Sequence, residues 1–114
     1  MSQPIWRLVR ARAWQPMLRL FALLALAMPC AAEVAPDRAT ALEHMVLQDC
    51  GSCHGLTLQG GLGRPLTRDA LAQADPSALA LIILDGVPGT AMPPWRPLIT
   101  EEEAMWIANY LKKD

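Results

Sequence analysis

The stretch Cys50-Gly51-Ser52-Cys53-His54 decides how the rest of this chain is interpreted. The pattern C-x-x-C-H is typical of the attachment site of a c-type haem. Each thiol would form a thioether bond with one haem vinyl group, and the histidine would coordinate the iron. On a helix, positions i, i+3 and i+4 lie on one face, so a single turn would direct both thiols and the imidazole at the same ligand. The motif therefore predicts one covalently bound haem c.

Two other kinds of site share the Cys-x-x-Cys spacing. A redox-active dithiol of the thioredoxin kind would need a strand, a loop and a helix around the motif, and no strand pattern precedes Cys50. A structural zinc site would need a second pair of ligands, and Cys30 and His44 do not form one. Both sites remain as alternatives to the haem.

The chain begins with the pattern of an export signal. Four arginines make its start positive, the apolar run Leu20–Met28 follows, and small residues lead to a cleavage site after Ala32. The run is shorter than the ~20 residues that span a bilayer, although an uncleaved membrane anchor is the competing interpretation. We expect residues 1–32 to be a cleaved signal peptide and residues 33–114 to form one periplasmic domain. Translation from Met17 is a further hypothesis, since a complete signal would still follow.

Removal of the predicted signal changes the charge and the composition. Residues 33–114 keep all 11 acidic residues but six of the 10 basic ones, which gives a net charge of −5. This charge argues against nucleic-acid binding and favours partners with a basic face, although an ordinary soluble surface would look the same. Only three aromatic residues remain, which is a thin core for such a short domain. A buried haem would supply the missing apolar mass.

The periodicity of the chain predicts an all-α domain of about four short helices. Asp37 is the predicted cap of a first helix over residues 38–49, and residues 67–73 can form a second. Asp75-Pro76 is a strong start signal for a third helix.

The third helix is expected to end at Gly86, and the fourth to begin at Thr100 with Glu103 completing a capping box. Residues 55–66 and 86–99 are rich in glycine and proline, so they are predicted to be loops.

Met92 is the strongest candidate for the second axial ligand opposite His54. It lies in a loop that Pro93 and Pro94 stiffen, and a stiff loop loses less entropy when it fixes one side chain. A vacant or water-bound iron is the alternative. The other candidates fit helix positions better; they are His44, Met45 and Met105.

The order of these motifs resembles class I cytochrome c over residues 37–112. The sequence CGSCHGLTLQGGLG and the later DGVPGTAMPPW also resemble the small NirC-type cytochromes, which are encoded beside the haem-cd nitrite reductase of denitrifying bacteria. This resemblance implies the class I fold, with the helices wrapped around one covalent haem.

The resemblance also implies roles for single residues. Cys50 and Cys53 would hold the haem, while His54 and Met92 would be the proximal and distal iron ligands. Pro65 matches the loop proline whose carbonyl accepts a bond from the histidine Nδ1–H.

Three further residues are candidates for contact with the haem propionates. Trp95 matches a position whose indole could reach one, with plain packing as the alternative. Arg64 and Arg96 could pair with propionates, with solvent exposure as the alternative.

The combined expectation is a monomeric periplasmic electron carrier rather than an enzyme. Histidine and methionine ligation would close both axial positions of the iron and raise its reduction potential. The resemblance implies nitrite respiration as the setting, with nitrite reductase or the proteins that mature its special haem as redox partners. No stable membrane insertion is expected after cleavage. The alternative is an accessory subunit or enzyme in which Met92 dissociates and opens the iron.

Overall fold

The computed structural model of the protein describes residues 33–113, which contain helices and loops but no strands. The helices are α1 (Pro36–Met45), a π-helical turn (Val46–Cys50), α2 (Gly51–His54), α3 (Pro76–Asp85) and α4 (Glu101–Leu111). The all-α prediction is confirmed. The predicted signal peptide and its hypothetical start and cleavage sites lie outside the described residues.

The first helix begins earlier than predicted, and it passes into a π-helical turn before the predicted end. Its N-cap is Ala35, which makes no side-chain hydrogen bond, and Pro36 occupies the first helical position. The predicted cap at Asp37 is therefore wrong, because the fixed φ of proline suits that first position. Asp37 instead lies in the first turn, where its charge complements the helix dipole. Through the π-helical turn, the helical path continues to His54.

The helix predicted over residues 67–73 is replaced by a series of turns. One hydrogen bond there spans four residues, from Leu71 N to the Thr67 carbonyl, and others span three. The Nζ atom of Lys112 donates to the carbonyls of Leu71, Ala72 and Ala74, at 2.7, 3.2 and 2.7 Å. These carbonyls are thus satisfied from outside the segment. Pro76 also disfavours helical geometry in the residue before it.

The predicted caps of the two later helices are confirmed. Asp75 Oδ1 accepts hydrogen bonds from the N–H groups of Ser77 and Ala78, at 2.9 and 3.0 Å. Thr100 Oγ1 accepts from Glu103 N–H at 3.2 Å, and Glu103 Oε2 accepts from Thr100 N–H at 2.9 Å, which completes the capping box.

The core lies where α3 and α1 pack against α4. Its largest fully buried side chains are Leu42, Val46, Leu84 and Ile107. The aromatic residues are only half-buried at its edge, where the rings of Trp106 and Tyr110 stack 5.2 Å apart.

An ion pair between Arg38 and Glu103 joins α1 to α4. Within residues 33–113, no helix is long and apolar enough to cross a membrane.

Candidate haem-binding site

The Cys-x-x-Cys-His motif is helical, and a π-helical turn sets its orientation. Cys50 ends that turn, and the next four residues form α2. The N–H of Gly51 donates to the carbonyls of Gln48 and Val46, three and five residues earlier, rather than to the carbonyl four residues earlier. The turn therefore contains one residue more than an α-helical turn, as is frequent at functional sites.

This extra residue shifts which position of the motif is buried. Leu42 and Val46 are fully buried, and the next buried position is Gly51 rather than Cys50. Because each helical residue advances by about 100°, an uninterrupted α-helix would direct Cys50 inward, four residues after Val46. In the structure, Cys50 is half-buried at the edge of the core, and Cys53 and His54 are half-buried as well. The π-helical turn thus leaves both thiols and the imidazole partly exposed beside the helix.

The thiols lack the properties of a redox dithiol. Cys50 and Cys53 form no disulfide. Burial, together with the negative charge of Asp49, raises the pKa of Cys50 to about 11. Redox-active Cys-x-x-Cys motifs have a lowered pKa instead. In the described part of the chain, no three His, Cys, Asp or Glu residues are placed to hold a metal ion.

The imidazole of His54 is held in the orientation that a metal ligand needs. Its Nδ1 atom lies 2.7 Å from the main-chain oxygen of Arg64. A carbonyl only accepts hydrogen bonds, so Nδ1 carries the proton and donates it. The Nε2 atom keeps its lone pair and can coordinate iron.

The partner of His54 differs by one residue from the one that the resemblance implied. The expected acceptor was the carbonyl of Pro65, and the structure gives that of Arg64. The loop reaches the ring early because Gly60 N–H donates to the His54 carbonyl and Gly63 N–H to the Cys53 carbonyl, both at 2.8 Å. These bonds fold the loop back onto the end of α2.

Gly63 makes this close approach feasible. A Cβ atom at this position would lie 2.6 Å from Cε1 and Nδ1 of the His54 ring, which is closer than side chains tolerate. The absence of a side chain at Gly63 therefore lets the loop cover the ring.

The Met92 loop is built on a tight turn. Thr90 N–H donates to the Val87 carbonyl at 3.1 Å, and Gly89 has φ +77°. Proline followed by a glycine with positive φ is the signature of a type II turn. Val87 N–H also donates to the Met92 carbonyl at 3.2 Å, so the two ends of the segment are joined.

Ion pairs close the far end of this loop. Arg96 pairs with Asp85 at the end of α3, and its Nη1 lies 3.1 Å from Glu101 Oε1 at the start of α4. Arg96 is a candidate propionate partner, and in this structure its guanidinium is engaged with these two carboxylates. The N–H of Trp95 donates to the carbonyls of Ile83 and Leu84, at 3.2 and 3.0 Å.

The remaining candidates lie as follows. His44 is exposed, as expected of a solvated helix residue, and Met45 and Met105 pack against the core. Trp95 is half-buried against the core, and Arg64 is exposed. The position of Met92 opposite His54, and contacts of Trp95 or Arg64 with a propionate, stay predictions.

The residues present fit a covalent haem. Two half-buried thiols and an imidazole whose Nδ1 is already bonded form the donor set that c-type attachment requires. Apolar surface is also available beside the motif. Leu56 is 73% exposed, although its Cδ2 would lie only 3.7 Å from a Cβ atom added at Gly51.

Comparisons with known proteins find similar cytochromes. The family described as cytochrome c oxidase, cbb3-type, subunit III matches residues 37–111. Cytochrome c55X of Paracoccus denitrificans is 58% identical over 99 residues, which cover 85% of this chain and 96% of that protein. Cytochrome c55X of Pseudomonas aeruginosa is 43% identical over 104 residues, covering 90% of this chain and 87% of that protein.

Two solved structures are also similar. The c-type cytochrome NirC superposes with a TM-score of 0.67 at 45% identity, covering 68% of this chain and 92% of that one. The dihydro-haem d1 dehydrogenase NirN superposes with a TM-score of 0.57 at 30% identity, covering 62% of this chain but only 15% of that one.

Proposed function

Because the chain belongs to the class I c-type cytochromes, we propose that it is a periplasmic electron carrier of nitrite respiration. One haem c, bound to Cys50 and Cys53, would supply an iron that takes up and releases a single electron. His54 and Met92 are the proposed axial ligands. We infer that residues 1–32 are a cleaved signal peptide and that residues 33–114 form a monomeric cytochrome c domain.

The bond from His54 Nδ1 to the Arg64 carbonyl is the observation that carries this proposal. This bond holds the imidazole ring of His54 and leaves its Nε2 atom available to coordinate iron. A ligand held in this way makes a stronger donor to the metal.

The Met92 loop supports electron transfer rather than substrate chemistry. Its ends are joined by the bond from Val87 N–H to the Met92 carbonyl, and the pair of Arg96 with Asp85 closes its base. A loop constrained in this way favours permanent methionine ligation, which leaves no open position for a substrate. Methionine as the second ligand also raises the reduction potential.

The relatives support the metabolic setting. NirC and the dihydro-haem d1 dehydrogenase NirN are both similar to this chain. The proposed partners are therefore the haem-cd nitrite reductase or the proteins that mature its special haem. The net charge of −5 over residues 33–114 would steer this domain toward a basic face on either partner.

Electron exchange with the purified partners tests the proposal. The reduced holoprotein is mixed with oxidised nitrite reductase, and separately with a haem-maturation enzyme, while the haem c absorbance is followed. We expect rapid oxidation by one of them, at a rate that falls as salt concentration rises. A small redox dye serves as the control acceptor. Oxidation by the dye but by neither protein would contradict the proposed setting.

A further inference from the structure

The hydroxyl group of Thr90 joins the two ends of the Met92 loop. It donates to the Val87 carbonyl at 2.7 Å, and it accepts from the N–H of Met92 at 3.2 Å. A hydroxyl has one proton and two lone pairs, so it can make both bonds at once. The residue that begins the turn and the proposed iron ligand are therefore connected through one oxygen atom.

The type II turn alone does not fix the main chain at Met92. The turn ends at Thr90, and Met92 lies two residues farther along the chain. The bond to Thr90 Oγ1 is the hydrogen bond that the structure gives to the Met92 N–H. The direct bond from Val87 N–H then uses the Met92 carbonyl. Both main-chain polar groups of Met92 are thus engaged within this one loop.

We propose that Thr90 is a positioning residue for Met92, an inference that rests on the proposed function, in which Met92 binds the iron. The hydroxyl holds the main chain from which the thioether extends. A thioether is a weak ligand, so the fraction of molecules in which it is bound depends on how well its loop is held in place. Loss of the hydroxyl should raise the fraction in which Met92 is detached.

Three threonine variants of the holoprotein isolate this effect. Thr90→Val keeps the branched shape but removes both bonds, whereas Thr90→Ser keeps the hydroxyl. Thr40→Val is the matched control, because the Thr40 hydroxyl also donates to a main-chain carbonyl, that of Pro36 at 3.1 Å, but it lies on α1. Thr90 is exposed, so its replacement leaves the core intact.

Imidazole binding to the oxidised protein measures detachment of Met92, because imidazole needs the position that Met92 vacates. Its apparent affinity scales with the fraction of open molecules. Two lost hydrogen bonds at an exposed site predict that Thr90→Val binds imidazole about fivefold more tightly than the wild type. Thr90→Ser should stay within about twofold of the wild type, and Thr40→Val should bind as the wild type does.

Amide hydrogen exchange at Met92 provides a second readout. The Met92 N–H, which donates to the Thr90 hydroxyl, should exchange faster in Thr90→Val than in the wild type or in Thr90→Ser. Equal imidazole affinity and equal Met92 exchange in Thr90→Val and the wild type would overturn the proposal. The same holds if Thr40→Val gains as much imidazole affinity as Thr90→Val, because the effect would then be general loosening.

Failure of the role proposed for Thr90 can be told apart from failure of the proposed iron ligation by Met92. If Met92 does not bind the iron, the oxidised wild type lacks the weak absorption band that a sulfur–iron bond gives at the red edge of the visible spectrum. If Met92 binds but Thr90 does not position it, the band is present and only the variants fail to differ.

Discussion

The Nδ1 atom of His54 donates to the main-chain oxygen of Arg64 over 2.7 Å, across the loop that covers the ring. A Cβ atom added at Gly63, next to Arg64, would lie 2.6 Å from two atoms of the same ring. The orientation of the proposed proximal ligand therefore depends on a loop that has no side chain beside the residue that bonds to the ring.

Replacement of Gly63 by alanine should displace the His54 ring. The added Cβ would lie 2.6 Å from two ring atoms, so the ring or the loop must move. Overpacking of this kind costs about 1 to 3 kcal/mol. We expect the holoprotein to melt about 5 to 20 °C lower than the wild type, as measured by circular dichroism.

The matched control is Gly51→Ala inside the motif. The nearest atom to its added Cβ is 3.5 Å away, which is an ordinary contact. This variant should keep nearly all of the wild-type stability, and an equal loss in both variants would contradict the steric argument at Gly63.

Deletion of Gln48 should preserve haem attachment, whereas insertion of one alanine after Gln48 should impair it. Gln48 lies in the π-helical turn, and its removal would place Gly51 four residues after Val46, so an α-helical turn would keep Gly51 buried and the motif in its present orientation. An inserted residue would instead rotate the motif by about 100°. We expect normal covalent haem in the deletion variant and little in the insertion variant, by mass spectrometry. Loss of haem in the deletion variant, or wild-type haem content in the insertion variant, would show that the π-helical turn does not orient the motif.

Lys112→Met should destabilise the protein, whereas Lys113→Met should not. Lys112 Nζ donates to three carbonyls of the turns between the Gly-rich loop and α3, whereas Lys113 is exposed. Hydrogen bonds from a charged donor predict a loss of about 1 to 2 kcal/mol, or about 5 to 10 °C in Tm. Equal Tm values for the two variants would remove the role assigned to Lys112.

Acidification should weaken the fold in part through Glu103. Its hydrogen bond with Arg38 lowers the pKa of this carboxyl below the usual 4.5, so the unfolded chain binds the proton more readily than the folded one. The stabilisation is complete above the usual pKa and is lost as the pH falls through the lowered one. We therefore expect the urea midpoint to fall between about pH 5 and pH 3.

The variant Glu103→Gln should show a shallower fall in the urea midpoint. Some fall will remain, because the pKa values of Asp75, Asp85 and Glu102 are lowered as well. Glu43→Gln, an exposed change on α1, is the control. If the urea midpoint depended on pH identically in Glu103→Gln and the wild type, protonation of Glu103 would not contribute to the loss of stability in acid.

Local signals in the sequence predicted the helices that carry their own caps. The caps at Asp75 and Thr100 depend on side chains within three residues of each helix start, and both were located correctly. The segment 67–73 failed because its carbonyls bond to Lys112, some 40 residues farther along the chain. A contact between residues so far apart in the sequence cannot be predicted from the pattern of apolar residues within segment 67–73.

The haem-binding site, like the fold, has some features that the local sequence predicted and others that it did not. The motif predicted which side chains meet on one helical turn, but the extra residue of the π-helical turn is visible only in the hydrogen bond from Gly51 to Val46. Arg64 rather than Pro65 accepts from His54 because the loop folds back through main-chain bonds, and main-chain bonds leave no signal in the pattern of side chains. The sequence does contain a signal for the role of Thr90, because a hydroxyl side chain lies two residues before the proposed ligand Met92.

The absorption spectrum of the oxidised holoprotein, compared between the wild type and Met92→Ala, tests the central claim most directly. If one haem c is ligated by His54 and Met92, the wild type shows the weak red-edge band of a sulfur–iron bond. In Met92→Ala that band is absent, the reduction potential is lower and the iron binds small ligands. A wild type without the band, or a Met92→Ala variant that keeps it, would contradict the account.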